Sequence, residues 1–184
     1  YAIFGMKNYI IHYPQDTISQ TSYSKLFNIY FDKKDFKKAL NILLVYKKAY
    51  KDDIQNQRAM LTLLLDHHIK SKQTRALTYW VNELDKGFLS FEESYVKKSI
   101  QILGGLLFEK YQGLEKKGQF KQAIAGYKEI YEYKKYPKVT KAQAAYAIAT
   151  LSLDLNKPQD SVKWLDSSFE LYNKEEILKL TPSI

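Results

Sequence analysis

Three histidines are the side chains best suited to hold a metal ion or to move a proton at neutral pH. His67 and His68 are adjacent, so on a helix their side chains diverge by about 100° and cannot both grip one metal ion. Asp66 does not repair that geometry, and the chain has no cysteine to complete a ligand set. We therefore expect a structural or solvated role for this pair and no metal site.

Catalytic groups are not gathered anywhere in the sequence. His12 is isolated within "YIIHYPQD", and no nucleophile, base and orienting acid are grouped around it. Gly104 and Gly105 lie within a helical pattern and lack the lysine spacing of a phosphate-binding loop. The absence of cysteine removes disulfides, thiolate metal sites and cysteine nucleophiles together. The sequence thus predicts a protein that is not an enzyme and needs no cofactor.

Positive charge is the next feature that could carry function. The net charge is +9, which suits nucleic acid, an anionic membrane surface or an acidic protein. From Glu109 to Lys141 nine lysines stand against four glutamates. If these lysines share a face, they form a basic patch for an acidic partner or nucleic acid. The candidates are Lys116, Lys117, Lys121 and Lys128. The alternative is that they only solvate the outer faces of helices.

The 16 tyrosines invite a second binding hypothesis, base stacking on single-stranded nucleic acid. Most of them recur at helical spacing among apolar residues, where a ring buries a large area and its hydroxyl reaches the edge. We therefore expect core packing for these tyrosines, which include Tyr23, Tyr30, Tyr46, Tyr111 and Tyr127.

Apolar spacing predicts the elements that carry these groups. From Val96 to Leu114 apolar residues recur every three or four positions, which predicts one long helix over about 92–117. Gly104 and Gly105 interrupt it and predict the close approach of a neighbouring helix. The longest apolar run, Ile102 to Phe108, is far shorter than the roughly 20 residues that cross a bilayer, so we expect no membrane insertion.

A glycine followed by a new helical pattern marks the joint between two helices. Gly118 tolerates the left-handed conformation that ends a helix, and the next apolar stripe starts at Phe120. A joint this short folds two helices back as an antiparallel hairpin. The same pattern recurs in four copies, anchored on Ala39, Ala76, Ala123 and Ser161. Intervals of 37, 47 and 38 residues between anchors predict a stack of helix pairs.

These residues resemble the tetratricopeptide repeat (TPR), a helix-turn-helix unit of about 34 residues. Its signature is matched by Tyr23-x2-Leu26-Phe27-x2-Tyr30 followed by Ala39-x3-Leu43, and the likeness covers about 19–172. The resemblance implies an all-α, right-handed superhelical solenoid of about four antiparallel helix pairs, at approximately 20–50, 54–86, 92–135 and 140–172. The chain departs from the family where Phe27, Leu64 and Tyr111 replace its small residue, which should splay the helices.

The family's partner-binding groove is lined by the first helix of each pair. Carried over to this chain, the groove-facing candidates are Asn28, Phe31, Leu65, His68, Gln112, Glu115 and Tyr146. Asn28 matches one residue of the clamp that holds a C-terminal carboxylate, but the remaining clamp positions hold no lysine or arginine. The mixed groove suits a helix or an extended peptide instead. The resemblance therefore implies a non-catalytic scaffold that docks protein partners in a larger assembly.

An RNA-binding helical repeat of the pentatricopeptide kind is the alternative. "NELDKGFLSFEESY" resembles its turn between repeats, and the basic charge would fit single-stranded RNA. That family keeps a strict period so that one repeat meets one base, which the uneven intervals here would lose. A third possibility is a peptide-sensing regulator carrying such repeats, but its DNA-binding head is missing from this sequence.

The chain end and the composition give two further expectations. "KLTPSI" places Thr181 at a helix N-cap and Pro182 at the first helical position, so residues 1–184 read as a single helical-repeat segment of a longer array. Absence of cysteine favours the periplasm. The lysine-, tyrosine- and leucine-rich composition resembles that of bacterial envelope components, in particular periplasmic scaffolds of flagellar motors.

Overall fold

The computed structural model describes residues 2–171, and within that range the chain is all-α. The described part contains nine α-helices, one short 3-10 turn (Phe88–Ser90) and no strand. The helices are α1 (Ala2–His12), α2 (Thr17–Asp32), α3 (Phe36–Ala49), α4 (Ile54–Lys70), α5 (Thr74–Asp85), α6 (Glu93–Glu115), α7 (Phe120–Glu132), α8 (Lys138–Asp154) and α9 (Pro158–Leu171). The helix start predicted at Thr181 and Pro182 lies outside the described residues.

The chain divides into two compact units, Tyr1–Phe91 (unit 1) and Glu92–Ile184 (unit 2). In unit 1, α2 packs on α3, α3 on α4, and α4 on α5. Helix α1 precedes the predicted pairs and packs against α2, although none of its described residues is buried. The apolar spacing did not predict α1, whose residues contribute nothing to the buried core: Phe4 and Ile11 are exposed, and Ile3, Met6 and Ile10 are only half-buried.

In unit 2, α6 packs on α7, α7 on α8 and α8 on α9. The predicted close approach at the helix glycines is confirmed for Gly104. A Cβ there would come within 3.0 Å of the Tyr136 ring and 3.5 Å of Thr140 Cγ2. Nothing lies within 4 Å of a Cβ at Gly105, so only one of the two glycines is needed for packing.

The turns that join the two helices within each of the four pairs share one backbone geometry. Each contains a residue in the left-handed region: Lys34 (φ 59°), Lys72 (φ 50°), Gly118 (φ 70°) and Asn156 (φ 56°). The amide of the next residue then donates to the carbonyl five positions back, a helix-capping bond. The four bonds are Asp35 to Tyr30 (2.9 Å), Gln73 to His68 (2.9 Å), Gln119 to Leu114 (2.9 Å) and Lys157 to Ser152 (2.8 Å).

The second helix of each pair also buries the same positions. We call the first of these buried residues the anchor and count positions from it. In α3, α5 and α7, the anchor and the residues three, four and seven positions after it are buried. In α9, the anchor and the seventh residue after it are buried, and the third and fourth are half-buried. Ala39, Ala123 and Ser161 are such anchors. Ala76 is not, because it is half-exposed while Leu77 is 1% exposed. Each second helix starts three residues before its anchor, and α5 starts at Thr74, so the anchor of the second pair is Leu77.

The same one-residue correction applies to the first helix of the second pair. A position seven residues before the left-handed turn residue is buried in every pair. It is occupied by Phe27, Leu65, Tyr111 and Ala149. The small-residue position of the second pair therefore belongs to Leu65 and not to Leu64.

Candidate functional site

The predicted groove residues of unit 1 differ in their accessibility. Asn28 is exposed on α2. Phe31 is half-buried, since its ring packs edge-on against Phe36 (centroids 5.4 Å apart) and lies 6.4 Å from the His67 ring. Phe31 thus contacts both helix pairs of this unit, and its side chain is only partly accessible to a partner.

Leu65 is not available to a partner in this unit. Its side chain is 1% exposed and belongs to the core, which overturns its assignment to the groove. The cause is the register error in α4. With Leu65 at the small-residue position, the groove-facing spacing selects Thr62, Asp66 and Ile69 instead, none of which is buried.

The remaining groove candidates stay accessible to different degrees. In unit 2, Gln112 and Glu115 on α6 and Tyr146 on α8 are half-buried. In unit 1, His68 is half-buried near the end of α4, and its Nδ1 hydrogen-bonds Gln73 Oε1 at 2.8 Å. His68 thereby ties α4 to the residue that precedes α5.

The adjacent histidine has a packing role. The His67 ring stacks on Phe36 with centroids 3.6 Å apart. Burial, with the nearby His68, lowers the pKa of His67, so the ring stays neutral near neutral pH. Within residues 2–171 no three histidine, cysteine, aspartate or glutamate side chains are grouped as metal ligands.

The four candidate patch lysines are all exposed in unit 2. Lys116 and Lys117 lie in the turn after α6, and Lys121 is in the first turn of α7. Lys128 lies seven residues further along α7, about 10 Å away, with its Nζ 5.7 Å from the centre of the Trp164 ring. Three of the lysines therefore gather at the α6–α7 turn, while Lys128 also covers an aromatic ring.

The expectation of core packing is confirmed for the named tyrosines, whereas Tyr13 and Tyr79 are 57% and 58% exposed. The five that were singled out are between 0% and 7% exposed: Tyr23, Tyr30, Tyr46, Tyr111 and Tyr127. Their ring faces are not accessible to a base, so these residues form no stacking surface.

Sequence reasoning missed an open cleft in unit 1. It lies between α3, the end of α4 and the start of α5, and encloses about 790 Å³. Its lining residues are Phe36, Lys37, Leu40, Leu64, His68, Lys72, Gln73, Thr74, Arg75, Ala76, Tyr79 and Trp80. One sequence feature could have indicated the cleft: Leu40 and Tyr79 are large apolar residues that fall outside the buried positions of their helices.

The cleft combines an apolar wall with positive charge. Leu40, Ala76 and Tyr79 reach solvent there, and Tyr79 is 58% exposed. Lys37, Lys72 and Arg75 supply cations, whereas none of the lining residues is a carboxylate. A surface of this type is chemically complementary to apolar groups carried by an acidic ligand.

A polar cluster at the other end of α3 serves the fold. Asp53 caps α4 by accepting from the Asn56 amide, and it also accepts from Gln20 Nε2 at 2.6 Å and from the Tyr46 hydroxyl. Burial alone would raise the pKa of Asp53, but these hydrogen bonds outweigh it and lower the pKa. Burial and the bond to Asp53 raise the pKa of Tyr46 to about 12.

In comparisons with known proteins, no family model, curated protein or solved structure matches this chain. Among the described helices, none has the length and apolar character needed to cross a membrane.

Proposed function

We propose that this chain is a non-catalytic protein–protein interaction scaffold built from TPR-like repeats, whose helix pairs stack into a right-handed superhelical solenoid. The observation that carries the proposal is that the turns within the four helix pairs share one backbone geometry. Each has a left-handed residue five positions before the second-helix anchor and a capping bond from the following amide. Helix pairs that repeat one local geometry bury their apolar stripes against neighbours and leave long faces for partners.

The accessible first-helix residues support a docking role. Asn28 is exposed in unit 1, and Gln112 and Glu115 are partly accessible in unit 2. Polar side chains of this kind can hydrogen-bond an extended or helical peptide, and the core does not depend on them for its packing. Membership of a bacterial envelope or motor assembly stays a prediction from composition.

Single-stranded RNA binding is the second candidate, and the exposed lysines at the α6–α7 turn favour it. The buried tyrosines count against it, because helical and other single-strand binders stack bases on accessible rings. We therefore place protein docking first.

Two matched pairs of substitutions test the docking proposal. Asn28→Arg and Gln112→Arg alter predicted groove positions, whereas Asn8→Arg on α1 and Gln122→Arg on α7 make the same changes at exposed positions elsewhere. Partners captured from cells of the source organism are compared by quantitative mass spectrometry after nuclease treatment. We expect the groove variants to lose specific partners that both controls retain. Equal capture by all four proteins would contradict groove docking.

Titration with single-stranded RNA at low and physiological salt tests the second candidate. We expect weak binding that disappears at physiological salt, which is what simple basicity gives. Tight, sequence-dependent binding that persists, and that is lost on charge reversal of Lys116, Lys117, Lys121 and Lys128, would instead establish RNA as the ligand.

A further inference from the structure

We propose that the cleft between α3, α4 and α5 of unit 1 binds the apolar side chains of an acidic, amphipathic helix from a partner protein. The proposal deepens the scaffold function on which it rests, because it names the class of partner segment and a docking surface formed largely by second helices. The cleft residues that carry it are Lys37, Leu40, Arg75, Ala76 and Tyr79.

The wall of the cleft is apolar where a partner would enter. Leu40 is half-exposed on α3, and the neighbouring Leu44 on the same helix is 41% exposed. Across the cleft, Ala76 leaves room and Tyr79 stands 58% exposed. The volume of about 790 Å³ falls within the roughly 300–1,000 Å³ of binding pockets, enough for several side chains of a helix face.

The floor of the cleft is formed by packed aromatic rings. Trp80 is 4% exposed, and its ring packs edge-on against Tyr79 with centroids 5.0 Å apart. On the other side, Phe36 is fixed by its stack on His67. A preformed cleft loses little side-chain freedom when a partner binds, which favours affinity.

Charge selects an acidic occupant. Lys37 and Arg75 line the cleft and make no ion pair with any residue that the structure describes. The nearby ion pairs of unit 1 are made by other lysines, Lys38 with Asp35 and Lys86 with Glu83. Carboxylates on the polar face of a bound helix would therefore meet unpaired cations at the rim.

A protein segment fits this cleft better than a nucleic acid does. A nucleic acid needs cations spaced along a backbone and open ring faces for its bases. Here the Trp80 ring is buried, and Tyr79 is the one lining ring that is more than half exposed, so the cleft offers no row of open rings for successive bases. The two ligand classes are separated by the experiment.

Two display libraries of about 16-residue amphipathic helices provide the probe. Both vary the same apolar face, one carrying glutamates and the other lysines on the polar face. We expect selection on the whole chain to enrich helices from the glutamate library only. Their dissociation constants, measured by fluorescence anisotropy, should rise roughly tenfold or more for Leu40→Glu and for Arg75→Glu.

Leu63→Glu is the matched control, because Leu63 on α4 is 41% exposed and does not line the cleft. It should leave binding unchanged, and circular dichroism should show all three variants folded. The proposal is overturned if no helix is enriched, if both libraries yield binders, or if Leu40→Glu and Arg75→Glu bind as the wild type does. It is also overturned if a single-stranded RNA binds and only those two variants abolish its binding. If Asn28→Arg loses partners but no helix binds the cleft, the scaffold function is supported and the cleft proposal is wrong.

Discussion

The ring of Tyr111 on α6 occupies the space above Gly126 on α7. A Cβ on Gly126 would overlap the Cδ1, Cε1 and Cζ atoms of that ring. The Tyr111 hydroxyl passes beyond the glycine and donates to Glu129 at 2.9 Å. The large Tyr111 ring is thus accommodated between the two helices, because the facing helix has no side chain at Gly126.

The fourth pair reverses these sizes. Its residues at the corresponding two positions are Ala149 and Trp164. In the third pair, the large Tyr111 ring and the missing side chain at Gly126 together conserve the volume between the helices, which is the requirement of close packing. The replacement of the small residue by Tyr111 is therefore compensated within its own pair.

Gly126→Ala should destabilise the protein by about 1–3 kcal/mol, because the added methyl group must displace the Tyr111 ring. Urea unfolding followed by circular dichroism measures the loss. Gly105→Ala is the control: it adds the same methyl group to a helix where nothing lies within 4 Å, and should raise stability by about 0.5–1 kcal/mol. Combining Gly126→Ala with Tyr111→Leu should cost less than the sum of the two changes. Simple additivity would refute the overlap.

Lys34 holds a left-handed conformation that glycine adopts without penalty. Lys34→Gly should raise the free energy of unfolding by up to about 1 kcal/mol. Its neighbour Lys33 has φ −75°, so Lys33→Gly should lower stability by about 0.5–1 kcal/mol. Gly118→Ala, at φ 70°, should lower it by about 1 kcal/mol. A stabilising Lys33→Gly together with a neutral Lys34→Gly would contradict the turn geometry.

Asp53→Ala should destabilise the protein by about 2–3 kcal/mol, because α4 loses its cap and the Tyr46 hydroxyl loses its acceptor. Asp52→Ala alters an exposed neighbour and should be nearly neutral. Since the pKa of Asp53 is lowered by folding, its contribution is present above the ordinary aspartate pKa and is lost as the pH falls. The difference between the two variants should therefore shrink in acid; a constant difference would argue against the network.

Alkaline pH should unfold the protein. The pKa of Tyr46 is raised from 10.0 to about 12, and burial likewise raises those of Tyr111, Tyr127 and Tyr136. The unfolded chain loses these protons first, so stability is full below pH 10.0 and falls as the pH rises towards 12. The share of the tyrosinate absorbance that comes from these four buried tyrosines should appear together with the loss of helical circular dichroism. Full ionisation of the tyrosines in a still-helical protein would contradict their burial.

The helical spacing of apolar residues predicted the all-α fold, since burial of one face requires that spacing whatever lies opposite. It also predicted the core tyrosines, the joint at Gly118 and the close approach at Gly104. It did not predict α1, none of whose residues is buried, nor the left-handed lysines, because glycine and asparagine rather than lysine mark that conformation in a sequence.

Register within the second pair needed the tertiary structure. "RALTYW" offers Ala76 and Leu77 as adjacent anchors, and local spacing permits both. The start of α5 at Thr74 and its packing on α4 bury Leu77, and the same shift buries Leu65 and exposes Asp66.

The sequence by itself determined that this chain is helical and basic, because the spacing of apolar residues and the charge can both be read along the chain without knowing its tertiary contacts. Only the tertiary structure decided which residues remain at the surface. The cleft beside Leu40 and Arg75 exists because three helices leave a space between them, and no one segment encodes that space. The fit of Tyr111 to Gly126 depends likewise on two helices meeting at one point.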